Sequence, residues 1–229
     1  MKPTMRALLL DLDGTLTDPK LGITNCVRFA LERMGKVAPP ADELLWFIGP
    51  PLIHSFRTLV GEAEAERAQA LYRERYATAG MFENELYLGI AEMVAAEAAR
   101  GRRIYLATSK AHVFAKPILE HFGLARHFTG IYGSELDGTR IDKPDLLAHI
   151  AERENIARGD AIMVGDRRFD VEGARVIGAA SVWADWGYGE ADERDAAGAD
   201  VICAAPGDLG PVLAAFDRNR QAALDESTR

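Results

Sequence analysis

The sequence predicts a doubly wound α/β fold: a parallel sheet covered by helices on both faces, with an all-α insertion after its first strand. Three observations carry this expectation. Short runs that are apolar throughout recur along the chain, as in strands buried on both faces. Between them lie stretches with apolar residues at three- and four-residue steps, the spacing of amphipathic helices. The interval from Asp18 to Arg103 is far longer than the roughly dozen residues that a parallel crossover needs, and shows only helical patterning.

In chain order, Met5–Leu10 reads as the first strand. Ile23, Val27, Leu31 and Met34 then mark one helix face. Leu45–Leu59 is interrupted by Gly49-Pro50-Pro51, and Ala65, Ala68, Leu71, Tyr72 and Tyr76 mark another face. Further strands are expected at Arg103–Ala107, Phe128–Tyr132, Ala161–Val164, Ala179–Ala184 and Asp200–Ala204. Helices are expected at His112–Phe122, Asp145–Arg153, Phe169–Ile177 and Asp208–Phe216. The predicted organisation is a core from residues 1–18 and 85–218, a helical cap at 19–84, and a frayed polar tail at 219–229.

Composition narrows the function. With 229 residues, 48% hydrophobic and 27% charged, the chain has ample material for a core, which excludes disorder as a whole-chain description. A net charge of −8 argues against nucleic acid or an anionic membrane as partner, since both call for a basic face. Cys26 and Cys203 lie far apart in apolar runs, as buried free thiols of a reducing compartment do. No Cys/His cluster has zinc spacing. The stretch Ala7–Leu10 is too short for a signal-peptide core, no run could span a bilayer, and a cytoplasmic location is expected.

The chemistry is expected where strands end, because doubly wound sheets bind ligands at their carboxyl edge. The first strand runs into Asp11-Leu12-Asp13-Gly14-Thr15, the second into Thr108-Ser109-Lys110 and the fourth into Gly165-Asp166, with Asp170 four positions on. Lys143 precedes that fourth strand. Two unit charges about 4 Å apart interact by about 4 kcal/mol at an effective dielectric of about 20, so clustered carboxylates require neutralisation. An all-oxygen donor set without His or Cys points to magnesium. A divalent cation, an ionised nucleophile and donors suited to phosphate oxygens are the equipment of phosphoryl transfer.

These four segments, taken in order as Asp11-Leu12-Asp13-Gly14-Thr15, Thr108-Ser109, Lys143 and Gly165-Asp166-Arg167-Arg168-Phe169-Asp170, resemble the motifs of the haloacid-dehalogenase-like hydrolases, phosphatase branch. The resemblance covers about residues 5–215 and implies a Rossmann-like core of that family's type. The helical insertion resembles the cap of the phosphoglycolate-phosphatase-like group. Phe47–Leu52, Gly165-Asp166-Arg167 and Trp186-Gly187-Tyr188-Gly189 resemble the branch labelled 5′-nucleotidase-like or phosphoglycolate-phosphatase-like. The resemblance implies Asp11 as nucleophile, Asp13 as acid and base, Thr108 and Ser109 on the phosphoryl oxygens, and Lys143 neutralising charge. It further implies magnesium held by Asp11, the backbone oxygen of Asp13, and Asp166, with Asp170 in support, and a small phosphorylated metabolite as substrate. Gly14 is expected beside that substrate.

Among competing lysines, Lys116 falls in a helical pattern and reads as solvated, whereas Lys110 remains a candidate for substrate contact. Arg57 and Phe47 are expected to set specificity from the cap. The five histidines read as structural or exposed, and Trp183, Trp186 and Tyr188 as packing near the mouth of the site, with substrate contact as the alternative. Two other functions stand as alternatives: a β-phosphoglucomutase-type phosphomutase, which shares the four motifs but for which Arg28, Arg33 and Arg57 offer no clear second phosphate cradle, and a receiver-like phospho-accepting module, which combines a similar acid cluster, Thr/Ser and Lys but which the long insertion and the Asp-x-Asp-Gly order disfavour.

Overall fold

The computed structural model describes residues 6–227; Met5, expected in the first strand, and the last two residues of the expected tail lie outside them. The strand β1 (Ala7–Leu10) is fully buried and sits at the centre of a six-stranded sheet. On one side it pairs with β4 (Arg103–Ala111), which pairs in turn with β5 (Gly130–Ser134). On the other side lie β6 (Ala161–Gly165), β7 (Ala180–Ala184) and β8 (Val201–Cys203), and every pairing is parallel. Chain direction across the sheet reverses at β1, so the crevice for a ligand opens between β4 and β6.

Register sharpens this. Leu10 lies opposite Leu106 on one neighbour and Val164 on the other, so the residues that follow, Asp11, Ala107-Thr108 and Gly165-Asp166, leave the sheet side by side. Alternate side chains feed two cores, as they must in a pleated strand. Leu8, Leu10, Ile104, Leu106, Ile162 and Val164 face one helical layer, which includes α4 (Ile90–Ala99), α5 (His112–His121) and α9 (Leu209–Ser227). Leu9, Tyr105 and Met163 face the other, with α6 (Lys143–Arg153) and α7 (Arg168–Ile177).

The helices α1 (Lys20–Arg33), α2 (Leu52–Val60) and α3 (Glu62–Tyr76) form a third apolar cluster built on Val27, Phe47, Phe56, Tyr72 and Tyr76. A 3-10 segment, Ala41–Phe47, links α1 to the Gly-Pro-Pro break. The chain enters and leaves these helices through two short strands that the sequence pattern does not reveal, β2 (Thr17–Asp18) and β3 (Glu85–Leu86). They pair antiparallel, Thr17 with Leu86 and Asp18 with Glu85.

Several expected bounds shift. The third strand of the large sheet lies at 130–134 rather than 128–132, β4 continues to Ala111, and Lys143 opens α6 instead of sitting in a loop. The helices α4 and α8 (Ala191–Ala197) are additions. The tail expected at 219–229 lies within the end of α9, which continues to Ser227. Long-range anchors explain the difference. Buried Asp217 accepts from Arg102 at 2.7 Å and Arg100 at 2.9 Å, both of which also bind Glu97 of α4. Beyond it, Arg220 donates to the Gly159 carbonyl. Breaking a buried ion pair costs about 3–5 kcal/mol. Asp217→Ala is therefore expected to lower the urea-unfolding free energy by about 3 kcal/mol, and a loss below about 1 kcal/mol would contradict the anchoring role.

Candidate active site

Asp11 follows β1 directly, its amide donating to the Val164 carbonyl at 3.0 Å. Its carboxylate meets Lys143 at 2.9 Å, and the same ammonium reaches Asp170 at 2.7 Å and donates to the Ala107 carbonyl at 2.8 Å. The ammonium is thereby held by core atoms alone, through one hydrogen bond and two ion pairs. Asp170 closes the first turn of α7, its carboxylate accepting from the Arg167 amide at 3.1 Å. Asp166 accepts from the Tyr188 amide at 2.7 Å and from the Thr15 hydroxyl at 3.4 Å.

Two glycines make room for Asp166. A Cβ on Gly14, whose φ is +81°, would lie 2.2 Å from its carboxylate oxygen, and one on Gly187 would lie 2.2 Å from its Cβ. Gly14, expected beside the substrate, sits in the turn that follows β1. Its amide donates to the Thr17 carbonyl at 2.8 Å, and it does not line the cavity described below. The residue makes space for Asp166.

Oxygens of Asp11, Asp166 and Asp170 lie within 4.8 Å of one another, all buried. Burial, followed by the charges of Asp11 and Asp170, holds the Asp166 carboxyl well above the ordinary carboxylate range. Burial pushes Asp170 up to about 6 against the pull of Lys143. Three carboxylates share one lysine, and among the described residues no cation pairs with Asp166. A divalent cation fits this oxygen-only, under-neutralised set. The side chain of Asp13 is not part of the cluster. It meets Lys110 at 2.7 Å, which leaves only its backbone oxygen for the metal role implied above.

On the other side of Asp11, the β4–β5 pairing is irregular between Ala107 and Ala111, and Thr108, Ser109 and Lys110 lie within that irregular stretch. Thr108 is buried, its hydroxyl accepting from the Lys110 amide at 3.3 Å. All three residues line a cavity of about 480 Å³ between the sheet edge and the inserted helices, together with Asp11, Asp13, Phe47 and Arg57. Burial pushes the Asp13 carboxyl upward while Lys110 pulls it back. Arg57 is half exposed and pairs with Glu62 at 3.0 Å.

Arg73, which sequence reasoning missed, lines the same cavity from α3 and, among the described residues, has no carboxylate partner. It donates to the Leu136 carbonyl at 3.4 Å, and burial lowers its pKa. Tyr76 was legible only as a core position. Its hydroxyl accepts from Lys110 at 2.6 Å. Trp186 donates to the Thr15 carbonyl, Tyr188 to Asp18, and Trp183 is buried, so all three pack the rim or core. Lys116 is exposed beside Glu120. Arg28 and Arg33, raised above for a second phosphate site, do not line the cavity.

This fold and site define a hydrolase class. A family model described as haloacid dehalogenase-like hydrolase matches residues 8–184, and the chain belongs to that family. Among curated relatives, a 5′-nucleotidase of Pseudomonas aeruginosa is 45% identical over 208 residues, which cover 90% of this chain and 94% of the relative. The tyrosine-protein kinase PtkA of Mycobacterium tuberculosis is 39% identical, covering 85% and 67%. A phosphoglycolate phosphatase of Nitrosospira multiformis is 28% identical, covering 81% and 86%. Among solved structures, a predicted phosphatase from Clostridium acetobutylicum superposes with a TM-score of 0.87 at 38% identity, covering 93% of this chain and 99% of the other.

Because folding raises the pKa of Asp166 and Asp170, the folded chain holds protons that the unfolded chain has released, and these groups contribute less stability as pH rises from about 4. In chelator, Asp166→Asn is expected to melt at a higher temperature than the unsubstituted protein, by a margin that grows between about pH 5 and pH 8. A margin that shrinks over that range would contradict the assignment of repulsion to this cluster.

Proposed function

We propose that this chain is a magnesium-dependent phosphomonoesterase acting on small phosphorylated metabolites through an aspartyl-phosphate intermediate. The observation that carries this is the placement of Asp11 and Asp13 at one sheet edge, each bound by its own lysine at 2.9 and 2.7 Å and both lining one cavity. Paired carboxylates can divide nucleophilic and acid–base work when their surroundings differ. Here one carboxylate sits in a group of three acids and the other apart from it.

In the first step, an Asp11 oxygen attacks phosphorus while the bond from phosphorus to the ester oxygen breaks, and the departing alkoxide takes a proton from Asp13. In the second, a water oxygen attacks the phosphoryl-aspartate, Asp13 takes back a proton, and inorganic phosphate leaves with Asp11 regenerated. Lys143 holds the nucleophile and offsets charge that builds on it, and Thr108 with the Ser109 amide offers donors to the phosphoryl oxygens. Magnesium, held by Asp11, Asp166, Asp170 and the Asp13 backbone oxygen, would supply neutralisation of phosphoryl charge. The helices α1–α3 serve as the cap that keeps stray water from the acyl phosphate.

The cavity of about 480 Å³ exceeds what a two-carbon phosphate ester fills, which favours a substrate with a sizeable leaving group, such as a nucleoside 5′-monophosphate. Gln69, Arg73 and Tyr76 follow one another at helical spacing along the cavity face of α3, so Arg73 stands about one turn, roughly 5 Å, beyond the contact between Tyr76 and Lys110. It is the cation best placed to meet a polar or anionic group next to the scissile ester, with Arg57 and Phe47 further round the wall.

Phosphate release across a panel of metabolites, with and without magnesium, tests the function. Asp11→Asn is expected to lose at least about 10³-fold in kcat, and chelation to abolish turnover until magnesium is restored. Undiminished release by Asp11→Asn would overturn the mechanism. Arg73→Gln is expected to raise KM about tenfold for the preferred substrate, at a cost of about 1.4 kcal/mol, with a smaller effect on a plain aryl phosphate; equal effects on both would remove Arg73 from recognition.

A further inference from the structure

Lys110 and Tyr76 have no part in the mechanism above, yet both are buried at the cavity wall. The Lys110 ammonium meets Asp13 Oδ2 at 2.7 Å and donates to the Tyr76 hydroxyl at 2.6 Å, with its nitrogen 4.5 Å from the Tyr76 ring centroid. Asp13 Oδ1, by contrast, is buried and without a hydrogen-bond partner. The two oxygens of this carboxylate are therefore unlike. One is held by a cation, and a proton carried by Asp13 belongs on the other.

The Tyr76 ring is fixed in turn. It stacks on Tyr72 at 5.2 Å and 13°, and takes Phe114 of α5 edge-on at 5.3 Å. Tyr76 is the last residue of α3, so the hydroxyl that steadies Lys110 comes from the inserted helices, whereas Lys110 belongs to β4 and Asp13 lies in the turn that follows β1. We infer that Lys110 and Tyr76 are a positioning pair for Asp13, holding Oδ2 so that Oδ1 faces the ester oxygen, and that the inserted helices thereby complete the proton-delivery geometry. This rests on the phosphomonoesterase reading and adds to it two residues that act through Asp13 without touching the reacting atoms.

A general acid matters most when the leaving group is a strong base, so an alkyl ester depends on it far more than a dinitrophenyl ester does. The test compares kcat/KM for glycerol phosphate and 2,4-dinitrophenyl phosphate in the full-length protein with magnesium. This constant reports steps up to departure of the leaving group. Tyr76→Phe keeps the ring contacts and removes only the hydroxyl, so it is the variant least able to disturb folding; Lys110→Met removes the clamp. The alkyl-to-aryl ratio is expected to fall about tenfold in Tyr76→Phe and about 10²-fold in Lys110→Met, with kcat affected more than KM. A ratio unchanged within twofold in either variant, or a rise in KM alone, overturns the positioning role. Wild-type release of phosphate from both esters tests the underlying hydrolase reading independently.

Discussion

Burying like charges at the edge of a sheet is costly unless the fold provides compensation on site, and the arrangement around β1 is organised by that requirement. Asp11 and Asp166 converge because parallel register brings the ends of β1 and β6 to one level, and the first turn of α7 adds Asp170. Their mutual repulsion is offset by Lys143, whose ammonium is spent on Asp11, Asp170 and the Ala107 carbonyl. Much of the local sequence follows from holding these groups still. Gly14 and Gly187 clear space for Asp166, Asp170 is fixed by capping α7, and the Tyr188 amide satisfies an oxygen that no lysine reaches.

The inserted helices meet the sheet edge through a few, mainly polar, contacts. Arg167 donates to the Ile48 carbonyl, Arg73 to that of Leu136, and Tyr188 to Asp18, while β2 and β3 tie the two chain crossings together. Apolar contact from the sheet side is limited to residues such as Phe114 and Tyr188 packed against the helical cluster. Interfaces of this polar kind are the ones across which domains move. If the helices act as the proposed lid over an acyl phosphate they must both shield and release, and directional contacts that can be exchanged for water suit that duty better than a continuous apolar seam.

Those features that depend on neighbours in sequence were legible before any coordinates. Apolar runs ending in Asp11, Thr108 and Asp166 announce strand ends, and helical spacing places Tyr72 and Tyr76 on an inward face. What escaped depends on partners far along the chain. The helix α9 outlasts its apolar pattern because Asp217 is held by Arg100 and Arg102, over a hundred positions away. In α4, the alanine-rich run gives little contrast between faces, and its buried Glu97 breaks the apolar rule by pairing with the same arginines. Periodicity likewise assigns Tyr76 to a core without disclosing where its hydroxyl ends. Arg73 is one of several helical arginines without a carboxylate partner among the described residues, and what sets it apart is its place on the cavity wall, a property that exists only in three dimensions.

The two lysines at the site divide along the same line as the two layers. Lys143 is fixed wholly by core atoms, so Asp11, the proposed nucleophile, keeps its geometry whatever the inserted helices do. Lys110 divides its ammonium between Asp13, the proposed acid, and Tyr76 in the insertion, so the geometry proposed for that acid depends on α3 being seated. A nucleophile ready at all times and an acid aligned only under a closed lid would couple bond cleavage to the exclusion of water. With the lid raised, Asp13 would lose its second constraint while Asp11 kept its own. In the proposed mechanism the same dependence would protect the phosphorylated intermediate, because the group proposed to activate water for its hydrolysis is also Asp13, which would be aligned only when the helices return.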